Sequence, residues 1–455
     1  MAVQLTAPMA TVLERFADWA VAFRAQPLAS EVVHHARRAV IDLHAAMISG
    51  AVEAPATLLE RALAEELDRG EARLALGRRA AVRAAGLING AAAHTTEVDD
   101  IFRDGIYHPG APTIPAALAL AQSLGASGEA FLRAVVVGYE IATRIGAAMG
   151  RAHYRYWHNT GTIGCFGSCA AAAELLGLDA KRFAHALATV TTFSAGLQQS
   201  FRQDSMSKPL HAGRAAEAGL TAALAAREGV IGSLDVIDGE AGYGRAMSDG
   251  PDWDKAVATL GKDFHITRMT FKNHTCCGHT FAAIDGALAL QAKMGLKAQD
   301  IARVHVGTYK AALDVAGYEE PRTAAEGRFS LKYVVATALT HGSVRFAAFA
   351  PARLSDPATR ELMHHIDVAV DPQLDAAFPA QRAARVAIEA RDGRREEFLQ
   401  PTRIGDPDAP LSDAQLDAKF LELAGPVLGD AAARAQLASL WKIDSRPTLR
   451  PGAGG

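Results

Sequence analysis

Aromatic side chains are scarce in this 455-residue chain, at 6% of positions. With few large flat groups and abundant alanine, the interior is expected to consist of close-packed helices more than of sheet. An excess of charge is also missing. Forty-seven basic and 50 acidic residues leave a formal net charge of −3, which makes no case for a nucleic-acid partner. No apolar run of about 18 residues escapes a charged or polar break, so no membrane span is expected. From Met1 to Gln26 the chain mixes Glu14, Arg15, Asp18 and Arg24 on an amphipathic pattern. It lacks the basic, apolar and cleavable zones of a signal peptide, and a cytoplasmic location is expected. Cysteine is limited to Cys165, Cys169, Cys276 and Cys277, in keeping with a reducing compartment. Cys276 and Cys277 are adjacent, which disfavours an ordinary disulfide between them. Cys165 and Cys169 sit among glycine and alanine and read as small buried residues. This spacing does not suggest zinc. No internal repeat and no glycine-rich nucleotide loop of the expected spacing is present.

What the chain does contain is helical periodicity through its first half. Helices are expected over 11–23, 31–47 with Gly50 as C-cap, 56–68, 79–95, 112–124, 129–149, 161–176 and 180–197. Another runs to Arg227, with Pro209 as its first residue. Gly138 and Gly146 suggest close helix contacts. From about Phe264 the texture changes. Strands are expected over 265–271, 301–309, 366–370 and 384–390, and Arg391-Asp392-Gly393-Arg394 signals a hairpin. Helices over 279–294 and 329–341 lie between them. Residues 411–424 and 431–440 return to helix, and 451–455 read as an irregular tail. The fold is therefore expected to be mainly α. A large all-helical domain takes 1–265 and 401–455, and a smaller α+β domain is inserted at 266–400.

The chemistry concentrates at the end of the helix expected over 79–95. Asn89 through His94-Thr-Thr-Glu97-Val-Asp99-Asp100 is followed by His108-Pro109-Gly110. Helical spacing would set His94, Glu97 and Asp100 along one face. Carboxylates at a helix C-terminus oppose its dipole, so a ligand is expected there. His158 precedes a small-residue helix, and Lys208 stands at the start of another, where an anion would be welcome. Lys272-Asn-His274-Thr-Cys276-Cys277-Gly278-His279 joins a strand to a helix, and Tyr318 lies before a Pro-Arg turn. Cations and imidazoles in this number suit a di- or tricarboxylate. An imidazole can move a proton at carbon beside a carboxylate while cations steady the developing charge. Loss of water or carbon dioxide would follow, or epimerisation if the proton returns on the other face. His94, Glu97, Asp99 and Asp100 could alternatively ligate a metal, although no second His-carboxylate pair at helical spacing supports it.

These stretches together resemble the MmgE/PrpD family. His94-Thr-Thr-Glu97-Val-Asp99-Asp100 with His108-Pro is similar to its His-x-x-Asp-x-Asp-Asp and His-Pro motif. Trp157-His158-Asn-Thr-Gly-Thr, Ser207-Lys208-Pro209-Leu210-His211-Ala-Gly213, and Phe271-Lys272 through Cys276-Cys277-Gly278-His279 match later motifs in order. So do Arg328 through Tyr333 with Gly342, and Pro410-Leu411-Ser412 leading to Lys419-Phe420. The family includes 2-methylcitrate dehydratase, cis-aconitate decarboxylase and iminodisuccinate epimerase. The resemblance implies a helical domain made from both chain ends, an α+β lid, and a homodimer. It also implies a lyase or isomerase without cofactor or metal, acting on a polycarboxylate.

The resemblance to cis-aconitate decarboxylase implies site positions at Glu97, Ile101, His108, His158, Lys208, Lys272, Cys277 and Tyr318. With the candidates read from the residues, His108, Glu97, Asp99, His158 and Tyr318 are expected to serve catalysis, and Lys208, Lys272, Asp100, Cys277 and His279 substrate binding. Lys208, Lys272 and His158 would hold carboxylates. Three positions depart from the decarboxylase pattern: Glu97 for aspartate, Ile101 for threonine and Cys277 for histidine. Ile101 cannot hydrogen-bond a substrate, which argues against cis-aconitate itself. A non-catalytic metabolite-binding homologue and a structural helical dimer are the competing readings.

Overall fold

The computed structural model describes residues 10–201, 205–378 and 380–452; the end of the expected tail, 453–455, lies outside them. Mainly α-helical, the chain divides into two units. The larger takes the chain up to Met269 together with Leu416 onward, and the smaller takes Thr270–Gln415. Among the described residues no helix is long and apolar enough to cross a membrane.

The larger unit is built by small residues. Thr11 and Glu14 close a capping box that starts the helix Val12–Phe23. The next helix, Ser30–Ala51, runs through Gly50 instead of being capped by it. Gly50 is needed for space: a Cβ there would lie 1.9 Å from the carbonyl oxygen of Ala92, in the helix Val82–Thr95. On the other side of that helix, a Cβ on Gly213 would meet the Leu87 oxygen at 2.2 Å. Gly213 belongs to the helix Ser207–Arg227. Three helices thus approach backbone to backbone, which fixes the end of one (His94) against the start of another (Lys208). Gly138 plays the same part between the helices Gly128–Tyr154 and Gly164–Leu175, where its added Cβ would meet Gly167 oxygen at 2.6 Å.

Three local expectations are corrected. The helix expected over 56–68 ends at Ala62, and a strand β1 (Leu67–Arg73) pairs antiparallel with β2 (Arg79–Ala80). Leu67, Ala72, Leu74 and Ala80 are buried together with Ile88, so apolar packing overrides local helix propensity. The larger unit is therefore not all-helical, and the following helix begins only at Val82. The helix expected over 180–197 stops at Thr191. The strand expected over 265–271 is a 3-10 turn, His265–Arg268. There the buried Glu140 carboxylate accepts the Ile266 amide at 3.1 Å, taking a donor that a strand neighbour would otherwise use.

In the smaller unit β3 (Ile301–Thr308), β4 (Ile366–Val370), β5 (Ala384–Ala390) and β6 (Arg395–Gln400) form one sheet in the order β4-β3-β5-β6. β3 and β4 are parallel and the other pairs antiparallel. Val304 stands in register with both Ile366 and Ile388. These side chains share a core with Phe281, Ile284 and Leu290 of the helix Phe281–Met294 and with Val334 and Val335 of Leu331–His341.

Replacing Gly50 by alanine is expected to cost about 1–3 kcal/mol or more, because the new methyl meets a backbone carbonyl that has nowhere to go. Gly146→Ala, whose Cβ would meet Tyr107 and Ile163 side chains at 3.3–3.4 Å, should cost less. Urea midpoints of the two variants check this; equal midpoints would contradict the packing argument.

Candidate active site

The helix carrying His94 ends at Thr95, so His94, Glu97 and Asp100 do not share a helical face. Glu97 adopts a positive φ of 59°, uncommon for a residue with a side chain. The chain reverses there, and Asp99 returns to His94: His94 Nδ1 and Asp99 Oδ2 are 2.8 Å apart, both residues fully buried. A bridge between Phe102 and Tyr107 then closes a short loop. It delivers His108 to the same oxygen, with Nδ1 at 3.2 Å from Asp99 Oδ2. The His108 amide donates to Thr160 Oγ1 at 3.2 Å.

Burial opposes ionisation of Asp99, but His108 and His94 outweigh it and hold its pKa well below the usual carboxylate value. Asp100 lies in different surroundings. Its Oδ1 accepts the Gly110 amide at 2.9 Å and its Oδ2 the Tyr139 hydroxyl at 2.8 Å. Both oxygens are spent inside the fold, holding the start of the helix Gly110–Leu124. That is a positioning place, in contrast to the substrate contact expected of Asp100. Beneath the loop, Lys419 Nζ donates to Asp42 Oδ1 at 2.5 Å and to the Val98 carbonyl at 2.7 Å. A residue near the end of the chain thereby anchors the segment that carries Asp99.

Further imidazoles complete the cluster. The rings of His94 and His108 are 4.7 Å apart edge to face, and His158 stacks on His94 at 5.4 Å. His158 Nδ1 lies 3.0 Å from Nδ1 of His211. Burial first, then His94, Lys208, His211 and His108, push the His158 pKa well below its ordinary value. A cation on His158 is thus disfavoured by its surroundings. Lys208 is the second residue of the helix Ser207–Arg227, which begins two residues before Pro209. Its ammonium is paired with Glu97. Burial disfavours the Lys208 cation, but Glu97 beside it holds the pKa above the usual lysine value.

Lys272, Cys277, His279 and Tyr318 belong to the smaller unit. Lys272 is buried and Cys277 half-buried. The Cys277 amide donates to the Arg328 carbonyl at 2.9 Å. His279 Nδ1 is 2.9 Å from the Tyr309 hydroxyl, and burial, with Arg382 and Arg403, lowers its pKa to about 4. Tyr318 is 52% exposed. Nearby His274 pairs with Asp285 at 2.8 Å, both buried. Cys165, Cys169 and Cys276 are buried and free, and burial raises all three thiols.

His94, Asp99 and His108 offer ligand atoms within 4.8 Å of one another, so this trio, and not the set with Glu97 and Asp100, could hold a metal ion. His94 Nδ1, 2.8 Å from Asp99 Oδ2, is at hydrogen-bond distance and geometry, whereas His108 Nδ1, 3.2 Å from the same oxygen, is at ion-pair distance without the alignment of a hydrogen bond. Sequence reasoning gave no site role to His211 or Lys419. His211 lies three residues after Lys208 on the same helix, a spacing that could have drawn attention to it. Lys419 stood in the Pro410 to Phe420 motif match, but nothing there showed that its ammonium would reach Asp42 and Val98.

Burial and the neighbouring Asp42 push the Asp100 pKa up to about 8. A folded-state pKa above the unfolded value of about 4 contributes stability present at low pH and lost as pH rises through the folded value. Asparagine at 100 can still accept from Gly110 and can donate to the Tyr139 oxygen, and it does not ionise. Asp100→Asn should therefore gain stability relative to the wild type as pH is raised between those two values. Melting temperatures of both proteins across that range test it; a difference that stays flat or shrinks would overturn the assignment.

The chain is 26% identical to a cis-aconitate decarboxylase-like protein of Aspergillus oryzae over 94% of its own length and 93% of the relative's. It is 26% identical to the human cis-aconitate decarboxylase, covering 76% of this chain and 73% of that one. The mouse cis-aconitate decarboxylase is 27% identical, covering 76% and 72%. The model of the MmgE/PrpD N-terminal domain matches residues 14–256, and that of the C-terminal domain matches 274–444. Together they span most of the sequence, and the chain belongs to the MmgE/PrpD family.

Proposed function

We propose that this chain is a cofactor-independent carbon–oxygen or carbon–carbon lyase acting on a di- or tricarboxylic acid related to 2-methylcitrate or aconitate. The observation that carries this reading is the single buried Asp99 carboxylate serving both His94 and His108 beside the Lys208 ammonium. A proton on His108 Nδ1, 3.2 Å from Asp99 Oδ2, would leave the lone pair on Nε2, which is the form a general base needs. In this proposal His108 removes the proton beside a substrate carboxylate. Asp99 holds the imidazolium that results, as an ionised and buried partner can. Lys208 meets a substrate carboxylate by exchanging its contact with Glu97, whose side chain is one methylene longer than the family's usual aspartate. The parts of Lys272, His279 and Tyr318 rest on the sequence reading, and that of Cys277 on the resemblance. A homodimeric assembly rests on the resemblance too, while a cytoplasmic location rests on the composition of the sequence.

A specific observation favours an epimerase as the second reading. Two separate proton-handling imidazoles are present, His108 on Asp99 and His158 on His211. Abstraction on one face and return on the other requires such a pair.

His108→Ala should lower turnover by at least about 10²-fold and leave the far-ultraviolet circular dichroism unchanged. An active, folded variant would remove His108 from the reaction. A screen in deuterated water against 2-methylcitrate, cis-aconitate and iminodisuccinate separates the readings. A lyase loses water or carbon dioxide, an epimerase incorporates deuterium without losing a fragment, and a binder does neither.

A further inference from the structure

The His158–His211 contact has a chemical consequence that goes beyond the reaction class. Two Nδ1 atoms 3.0 Å apart can bond only if one carries a proton and the other a lone pair. The two neutral rings are therefore obliged to be opposite tautomers. Whichever donates at Nδ1 has a bare Nε2, and its partner carries its proton on Nε2.

The surroundings choose between the two arrangements. His158 is 3% exposed, and His211 is the more open ring. Neutral imidazole in water prefers its proton on Nε2, so the half-buried His211, the more open of the two, takes that form and offers its Nδ1 lone pair. His158 must then donate from Nδ1. Among the described residues, the groups facing the pair include His94, stacked on His158, with His108 and Lys208. This company disfavours a cation on either ring.

The place for His211 is built into the backbone. A Cβ on Gly196 would lie 3.2 Å from His211 Nδ1, and one on Gly161 would lie 3.1 Å from the His211 Cβ. The Gly196 carbonyl also accepts the His158 amide at 2.9 Å. The same segment that makes room for one ring holds the backbone of the other.

We infer that His211 is a positioning residue that locks His158 in its Nδ1–H tautomer, so that His158 presents a bare Nε2 and serves as a proton acceptor in the active site. The catalytic part of this inference rests on the proton-transfer reading above; the tautomer does not. His158 is then a second base, not a donor to a substrate carboxylate, and it returns a proton only after its Nε2 has first taken one up.

Nitrogen-15 NMR of the histidine-labelled, ligand-free enzyme near neutral pH tests the tautomer without any substrate. The expected result is a protonated-type Nδ1 and a pyridine-type Nε2 for His158, the opposite for His211, and a coupling across the Nδ1–H···Nδ1 bond. In His211→Ala, His158 should lose the preference. In His211→Asn, whose carbonyl can stand in for the Nδ1 lone pair, it should keep it. On an acid that the wild type turns over, His211→Ala should lower kcat by about 10²-fold, the lower end for a positioned acid–base group. KM should stay within about twofold, and His211→Asn should recover most of the loss. A His158 with its proton on Nε2, or one unmoved by His211→Ala, overturns the inference. So do alanine and asparagine variants that behave alike. If the tautomers are as stated and none of the acids is turned over, the lyase reading fails and the pairing of the rings stands.

Discussion

One buried carboxylate organises the larger unit's chemistry. Asp99 is removed from water, which by itself would favour the neutral acid, and it is kept ionised by the imidazoles at its Oδ2. Each partner needs the other: the carboxylate orients both rings, and the rings make its burial tolerable. Around this pair the structure sorts three neighbouring acids into three states. Glu97 faces an ammonium, Asp99 faces imidazoles, and Asp100 faces a hydroxyl and an amide. Identical chemistry in the sequence becomes different chemistry because each carboxylate meets a different partner.

The scaffold holds these partners by removing side chains from the places where backbones must meet. Gly50 and Gly213 let three helices touch along the length that leads to His94 and Lys208. Gly161 and Gly196 do the same on a smaller scale around His211. Alanine-rich composition is thus more than a preference for helix. It permits interaxial approaches that larger residues would forbid, and it transmits the position of one helix end to the next with little slack. The cost is sensitivity: a single methyl in the wrong place moves an imidazole of the cluster.

Much of this was legible in order along the chain. The helices Val12–Phe23 and Asp430–Leu440, the strands Ile366–Val370 and Ala384–Ala390, and the hairpin at Gly393 follow from periodicity and turn chemistry. His94, Asp99, His108, His158 and Lys208 drew attention as polar groups set into small-residue helices. Reading failed where a tertiary partner overruled the local signal. Gly50 was needed for space and not as a cap. The 265–271 segment gave its amide to Glu140. The acidic run left the helix after Thr95, because Asp99 turns back to bond His94.

By itself the sequence determined which groups are available and what class of ligand they suit: a set of imidazoles, ammoniums and carboxylates, in motif order, on a mainly helical chain. Those are properties of composition and local period, and they need no knowledge of what touches what. Only the tertiary structure decided which acid stays charged, which is neutral and spent on packing, and which histidine answers to which partner. It brought Lys419 under Val98 and His211 against His158, contacts between residues 321 and 53 positions apart. Protonation depends on burial and on the nearest opposing charge, and both are set by distances in space that sequence spacing does not encode.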